Sequence, residues 1–387
     1  MSDEPVTNPL VKNLAAVTQV RCPGTAGRIA QQIRDLEAIA PQFQEAGLVR
    51  KVHRPTPLTV FAAGISTHSP SPMPFMGGFL YAAGAVRFDL IARENQVSSG
   101  TQDSICEMDD IDYEDQRLRL QLVSIAQAYK LADRAMRDSE QRDIIVMDCP
   151  ILVSRSLIAP KDDTLHSGHR AAYKEAVETV ESFWSAHREQ LRPWNPDGTT
   201  LVSVSGGRFG AVLQLAQRDL RTKDGRSFIL ASEGVDLSRL GEIEDVTKTI
   251  LNIGERRFMH GLLGPFTRTG AFRLDLSSPS MEPSVIAKEG VVGFHFKGSE
   301  GTAVRFAHMA GPSELWTHRM IDTVAGILMA TCTIGGPRAE PLPLMLARRE
   351  LKKPLEQSLE FYSREVRRYL KNRINEAAWL SDLDALD

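Results

Sequence analysis

Asp148 carries the sharpest chemical signal in this sequence. It closes the run Asp143–Asp148 (DIIVMD), four apolar residues between two acids. An acid that ends a buried strand lies at the carboxyl edge of an α/β sheet, where functional groups are presented. A carboxylate there can ligate a divalent cation, or it can cap the turn that leads into Pro150. The run Glu107, Asp109, Asp110, Asp112, Glu114 and Asp115 offers further hard oxygen ligands for Mg²⁺ or Mn²⁺. Acids of this kind also collect in first helical turns and on solvated faces. Glu114 stands apart because it precedes Leu118 by four residues and shares the helix face that turns inward, as does Gln121.

Two other features bear on phosphate. The string SGGRFG (205–210) follows an apolar run and opens a helical pattern, so its backbone N–H groups suit a phosphate, as in a small-molecule α/β enzyme. It lacks the Gly-Lys-Ser/Thr ending of a P-loop, and a tight turn needs glycine for geometry alone. Near the end, Arg348, Arg349, Lys352, Lys353, Arg364, Arg367, Arg368, Lys371 and Arg373 recur on neighbouring turns, an arrangement fit for phosphate oxygens. Glu350, Glu356, Glu360 and Glu365 intersperse them, as on a solvated helix face. A smaller basic cluster comprises Arg256, Arg257, Arg268 and Arg273. Gly-x-Ser-x-Gly and His-Glu-x-x-His are absent, and the four cysteines form no Cys-x-x-Cys pair. Serine hydrolase, zinc protease, structural zinc and disulfide-framework readings therefore gain no support.

The elements that must position these groups alternate between strand and helix. Short apolar runs predict strands at Leu58–Ser66, Gly78–Ala92 (one or two strands), Asp143–Asp148, Thr200–Ser205, Val291–Lys297 and Ala303–Met309. Helical spacing predicts Ala26–Leu48 with a break near Pro41, a helix through Leu118, Leu122, Ile125, Ala126 and Tyr129, then Tyr173–Leu191, Phe209–Leu220 and Ser313–Ala330. A long basic helix is expected from Leu344 to Arg373, interrupted at Pro354. The polar stretch 222–290 reads as an elaboration on the core. This order favours an α/β architecture with a mixed central sheet.

Composition bounds the rest. The 387 residues hold 46 Lys plus Arg against 49 Asp plus Glu, a net of −3, with 42% apolar and 25% charged residues. These values suit a soluble globular chain of one large or two modest domains, and they exclude disorder, collagen-like repeats and a global positive field. The polar, acidic N-terminus does not resemble a signal peptide, and no apolar run is long enough to span a bilayer, so a cytoplasmic location without membrane association is expected.

Taken in order, VFAAGIS, GFLYAAGAVRFD, the Glu114 helix, IIVMDCPIL, TAVRFAHM, the Ser313 helix and GGPRAEPLPLMLARRE resemble the NurA-type nucleases, DNA-end-processing partners of HerA-type hexameric ATPases. The resemblance spans about Leu58 to Leu370. It implies an RNase H-like α/β domain over 58–370 (insertion about 222–290), preceded by an arm and amphipathic helix at 1–57 and followed by an acidic tail at 371–387. It implies a homodimer acting with a HerA-type ATPase on DNA, in repair or in defence against foreign DNA. Asp148 and Glu114 become the catalytic and metal-binding residues, with Mn²⁺ or Mg²⁺ as cofactor if the centre is active. Arg348, Arg349, Lys352, Lys353 and Arg305 become DNA contacts. The departures fall on the chemistry. The family's first metal-binding Asp aligns with Ala63 or Gly64, its helix acid with Glu114 or the neutral Gln121, its late His with Arg348, and the Gly-Ser after its second Asp with Cys149-Pro150. Two versions are therefore expected: a degenerate DNA-guiding subunit, or a metal-dependent nuclease with relocated ligands.

Overall fold

The computed structural model describes residues 8–55, 59–75, 78–93, 96–111, 115–158, 167–205, 220, 222–240, 245–274, 285–332 and 340–371. Its strands are β1 (Val49–Lys51), β2 (Val60–His68), β3 (Met73–Phe75), β4 (Gly78–Arg93), β5 (Gln96–Ile111), β6 (Ile144–Met147), β7 (Thr200–Ser205), β8 (Thr267–Thr269), β9 (Phe272–Arg273), β10 (Val291–Lys297) and β11 (Arg305–Ala310). Its helices are α1 (Pro9–Glu45), α2 (Gln116–Arg137), α3 (Ser167–His187), α4 (Lys223–Phe228), α5 (Val246–Ile253), α6 (Glu255–Leu262), α7 (Val285–Glu289), α8 (His318–Thr331) and α9 (Leu342–Lys371).

All described strands join one sheet, ordered β1-β8-β10-β11-β7-β6-β2-β4-β3, with β5 on the free side of β4 and β9 on β10. Within it, β4 runs antiparallel to both β2 and β5, while β6 is parallel to β2 and β7 parallel to β6. The order β5-β4-β2-β6-β7 with one reversed strand is the RNase H-like arrangement, and β11, β10, β8 and β1 extend it as an antiparallel wing. The parallel strands β2 and β6 are short apolar runs because both of their faces are covered.

On one face Ala63, Ile65, Ile145 and Met147 pack under α2 and α3. On the other, Ala62, Ile144 and Val146 lie under α8, and Leu80 and Ala82 lie under Leu351, Leu355 and Leu359 of α9. A third apolar cluster joins the end of α1 (Phe43, Ala46) to Ile250 of α5 and Phe258 of α6. The stretch 222–290 thus supplies this cluster and also two strands of the wing.

Four expectations need correction. Glu107, Asp109 and Asp110 lie on β5, a 16-residue strand, and not in a loop or first helical turn. An edge strand tolerates polar residues because its ladder to β4 satisfies the backbone whatever the side chains, and charges protect its open edge. Asp115 caps α2, accepting from Leu118 N at 3.1 Å. Second, α1 begins at Pro9, far ahead of Ala26, and continues through Pro41. Third, α9 continues through Pro354. These prolines are exposed, so the carbonyls that lose a helical partner face water. Fourth, Arg268 is no surface cation: it is fully buried, bidentate on Glu233 (2.9 and 3.2 Å) and bonded to Asp322 (2.7 Å).

Gly64 of β2 lies directly against the first turn of α9. A Cβ there would fall 2.1 Å from the Pro343 carbonyl carbon, so only glycine permits this contact. Gly64→Ala should therefore cost about 3 kcal/mol or more in urea denaturation, the upper range for overpacking, because the obstacle is backbone.

His295 of β10 packs between Phe272 and Phe306, with ring centroids 5.8 and 4.8 Å away, and neither ring nitrogen has a hydrogen-bond partner among the described residues. Burial pushes its imidazole down to about 3. The unfolded chain takes up a proton at about pH 6.5 that the native ring refuses until much lower pH. This contribution to stability is full above that value and is lost as pH falls through the window. His295→Phe should remove about 2 kcal/mol of the stability lost between about pH 7 and pH 5, measured by denaturation at both pH values.

Candidate functional site

The centre forms where β6 stops and β2 continues. Asp148 N donates to Ile65 O at 3.3 Å, one step beyond the paired strands, and the chain then turns at Cys149-Pro150. That turn is pinned by Ser203 Oγ donating to Cys149 O (2.6 Å) and Tyr129 Oη donating to Ile151 O (2.8 Å). The Asp148 carboxylate is thereby held over the end of β2. Ser66 Oγ donates to Oδ2 at 2.7 Å, and Thr67 donates to Oδ1 twice, from N at 2.9 Å and from Oγ1 at 3.0 Å. From α9, Arg348 Nη2 donates to Oδ2 at 3.0 Å. A carboxylate offers about four lone-pair sites, and these four donors take them.

The network continues outward. Arg348 Nη1 donates to Glu340 Oε1, and Arg305 Nη2 lies 4.0 Å from the same oxygen. Cation and carboxylate alternate along Arg305, Glu340, Arg348 and Asp148. The side chains of Asp148, Glu340 and Arg305 are 11%, 14% and 13% exposed, while that of Arg348 is 39% exposed. His68, on the same face of β2 as Ser66, lies 3.7 Å from Glu356 of α9. Burial lowers its proton affinity, and Lys352 and Arg348 add to this while Glu356 opposes it. Burial, reinforced by Asp148, pushes the Cys149 thiol well above its ordinary range, so this buried cysteine is no thiolate nucleophile.

Of the residues singled out from the sequence, the structure brings together Asp148, Arg348 and Arg305. Arg349, Lys352 and Lys353 stand exposed on the same helix. Arg349 Nη2 lies 3.1 Å from Glu350 Oε1, and neither lysine has a carboxylate within ion-pair distance among the described residues. Glu114 and 206–210 lie outside the described residues. The helix that follows Glu114, α2, packs on the opposite face of the sheet from α9. Half-buried Gln121 of α2 lines an open cleft with Ser69 and Arg117. The strands of Ala63 and Asp148 are neighbours, but Ala63 pairs with Ile145, and Ser66 and Thr67 are the β2 residues that reach Asp148.

Sequence reasoning missed Ser66, Thr67, His68 and Glu340. Ser66 is the last residue of the predicted strand Leu58–Ser66, Thr67 and His68 follow that strand, and Glu340 lies in a Pro-rich connection. Counting a parallel partner of β6 past its last apolar residue was the signal available for Ser66.

The described donors do not fit a two-metal centre. Such a centre needs several carboxylates converging on its cations. Among the described residues no three His, Cys, Asp or Glu side chains converge, and Asp148 is already bonded to a fixed positive charge.

The architecture and its strand-end acid define an RNase H-like α/β protein. Neither a family profile nor a curated protein matches the sequence. Among solved structures, the chain is similar to the NurA nuclease from Sulfolobus solfataricus at 13% identity and a TM-score of 0.54, over 95% of this chain and 99% of that one. It is also similar to another NurA (9% identity, TM-score 0.48, covering 86% and 94%). A third match is a NurA bound to dAMP and manganese (10%, 0.44, covering 89% and 94%). The resemblance noted in the sequence is thus shown as a likeness of fold.

Asp148→Ala strands the Ser66, Thr67 and Arg348 donors and should cost about 2–4 kcal/mol in equilibrium unfolding. Arg348→Ala should cost less, because water can reach its place. A double-mutant cycle should return a coupling of about 1–2 kcal/mol, and additivity of the two would show that the pair does not matter to the fold.

Proposed function

We propose that this chain is a NurA-like DNA-binding subunit of a DNA-processing assembly whose own centre does not cut. In this reading it works with a HerA-type hexameric ATPase, as a homodimer, in DNA repair or defence against foreign DNA. The observation that carries the reading is the Arg348 guanidinium on Asp148, at the strand end of a fold shared end to end with a NurA nuclease. Asp148 and Arg348 hold the sheet edge to α9. DNA contact falls to the exposed face of α9, a helix with eight cations against four carboxylates over its whole length. Arg349, Lys352 and Lys353, three and four residues apart, share one side of that helix and suit successive phosphates. Arg305 and Arg348 contribute positive charge at the base of this face. Were the centre active, Glu114 would have to complete a Mn²⁺ or Mg²⁺ site with Asp148.

The test is fluorescence anisotropy of the full chain with linear duplex DNA across a salt series, beside incubation with Mn²⁺. Binding should weaken steeply with salt, and Arg349→Ala/Lys352→Ala/Lys353→Ala should reduce the log–log slope by about 2–3, at about 0.9 per phosphate. The DNA should stay intact. A salt-independent interaction, or a slope that the triple variant leaves unchanged, would sink the DNA-binding role. Mn²⁺-dependent degradation abolished by Asp148→Ala would replace the non-cutting reading with an active nuclease. Repeating the assay with a HerA-type ring tests the partnership.

A further inference from the structure

We infer that the Arg348 guanidinium is the resident cation of the Asp148 centre: it bridges Asp148 and Glu340 where a divalent ion would have to bind, and it keeps such ions out. The inference deepens the proposed function and rests on the same assignment of Asp148 as the centre, but its test involves no DNA.

Three of the four donors to Asp148 come from β2, and one of them is a backbone N–H. The backbone N–H is fixed by the sheet, and the two hydroxyls are carried by the same strand. The fourth is Arg348, on a different element and more exposed than its partners. Its two terminal nitrogens bond one carboxylate each, Asp148 and Glu340. Together with Arg305 beside Glu340, the four groups sum to zero charge. A divalent ion offered to this centre meets an oxygen whose lone pairs are taken and a guanidinium that cannot lose its proton. Removing Arg348 changes all of this at once. One oxygen of Asp148 and one of Glu340 lose their shared partner, the cluster becomes net negative, and two carboxylates remain at the place the cation left. Magnesium and manganese use one or two carboxylates and retain waters, so that remnant is sufficient for one ion.

The experiment titrates Mn²⁺ into the full-length protein and follows the electron paramagnetic resonance signal of the free ion. Arg348→Met removes the charge and keeps much of the stem, and Arg348→Gln serves if the first variant fails to fold by circular dichroism. The neutral variant should bind one Mn²⁺ more tightly than wild type by on the order of 100-fold, the scale set by one full charge a few ångströms away. The gain should vanish when Asp148→Asn is added, which separates it from binding by the acids of β5. Arg348→Lys, which keeps the charge, should show no gain. A neutral variant that folds and gains no Asp148-dependent Mn²⁺ site overturns the inference. So does a wild-type protein that already binds Mn²⁺ and loses it on Asp148→Asn, an arm that does not depend on any Arg348 variant. Either result leaves the salt-dependent DNA binding to be judged separately.

Discussion

The contact of α9 with β2 at Gly64 sets the geometry on which the rest of the centre depends. With no side chain at Gly64, the first turn of α9 lies against the strand. Helix and strand then advance together. Arg348 is five residues past Pro343, about 7.5 Å along a helix, and Ser66 is two residues past Gly64, about 6.6 Å along a strand. The guanidinium thus arrives level with Ser66, where β6 delivers Asp148. Farther along, His68 meets Glu356, and Leu351 and Leu355 approach Gly84, the partner of His68 on β4. One missing side chain fixes which α9 residues reach the strand ends.

From this placement follows the electrostatic character of the centre. A strand-end carboxylate in an α/β sheet is a place to collect cations, and a fold of this kind can host quite different chemistry at that place. Here the position is filled by a charge from the chain itself. A guanidinium supplies directional hydrogen bonds and one positive charge. It cannot act as a Lewis acid toward water or clamp the attacking and leaving oxygens of a phosphodiester as two metal ions do. With Ser66 facing Asp148, this single carboxylate needs only one compensating charge, and Arg348 supplies it.

Much of this was legible in the sequence, for a physical reason. Strands β2, β6, β7 and β10 are buried on both faces, so they must be apolar runs bounded by turns, and Asp148 stands out because it ends one of them. The edge strand β5 was illegible because its stability comes from a ladder to β4, which imposes no apolar pattern on its outward side. Helices α1 and α9 pass through prolines whose cost is met by water on an exposed face, a fact of burial invisible in one dimension. Arg268 looked like a member of a basic cluster because its partners, Glu233 and Asp322, lie 35 and 54 residues away. The Asp148 donors were hidden similarly: Ser66 and Thr67 are 82 and 81 residues distant in sequence, and Arg348 is 200.

Two further ion networks put the Asp148 centre in proportion. At the opposite end of the core strands, Arg87 and Arg142 enclose Asp89, with all three buried. In the wing, Glu233 accepts from Arg268, from Arg50 at 2.8 Å and from Ala271 N at 3.1 Å, and neither Glu233 nor Arg268 is exposed. Both networks end on a partly open carboxylate, Asp138 (40% exposed) beside Arg87 and Arg142 and Asp322 (38%) beside Arg268, and breaking one buried partner leaves an uncompensated buried charge. In the Asp148 network the inner members are equally well bonded, but the bridging Arg348 is partly open to water and lies on the helix that carries exposed Arg349, Lys352 and Lys353. The most open member here is a cation, so an incoming anion can approach it. The sign of the most open member therefore separates the three: it is a carboxylate in the first two, and in the third a guanidinium on a face that a polyanion can reach.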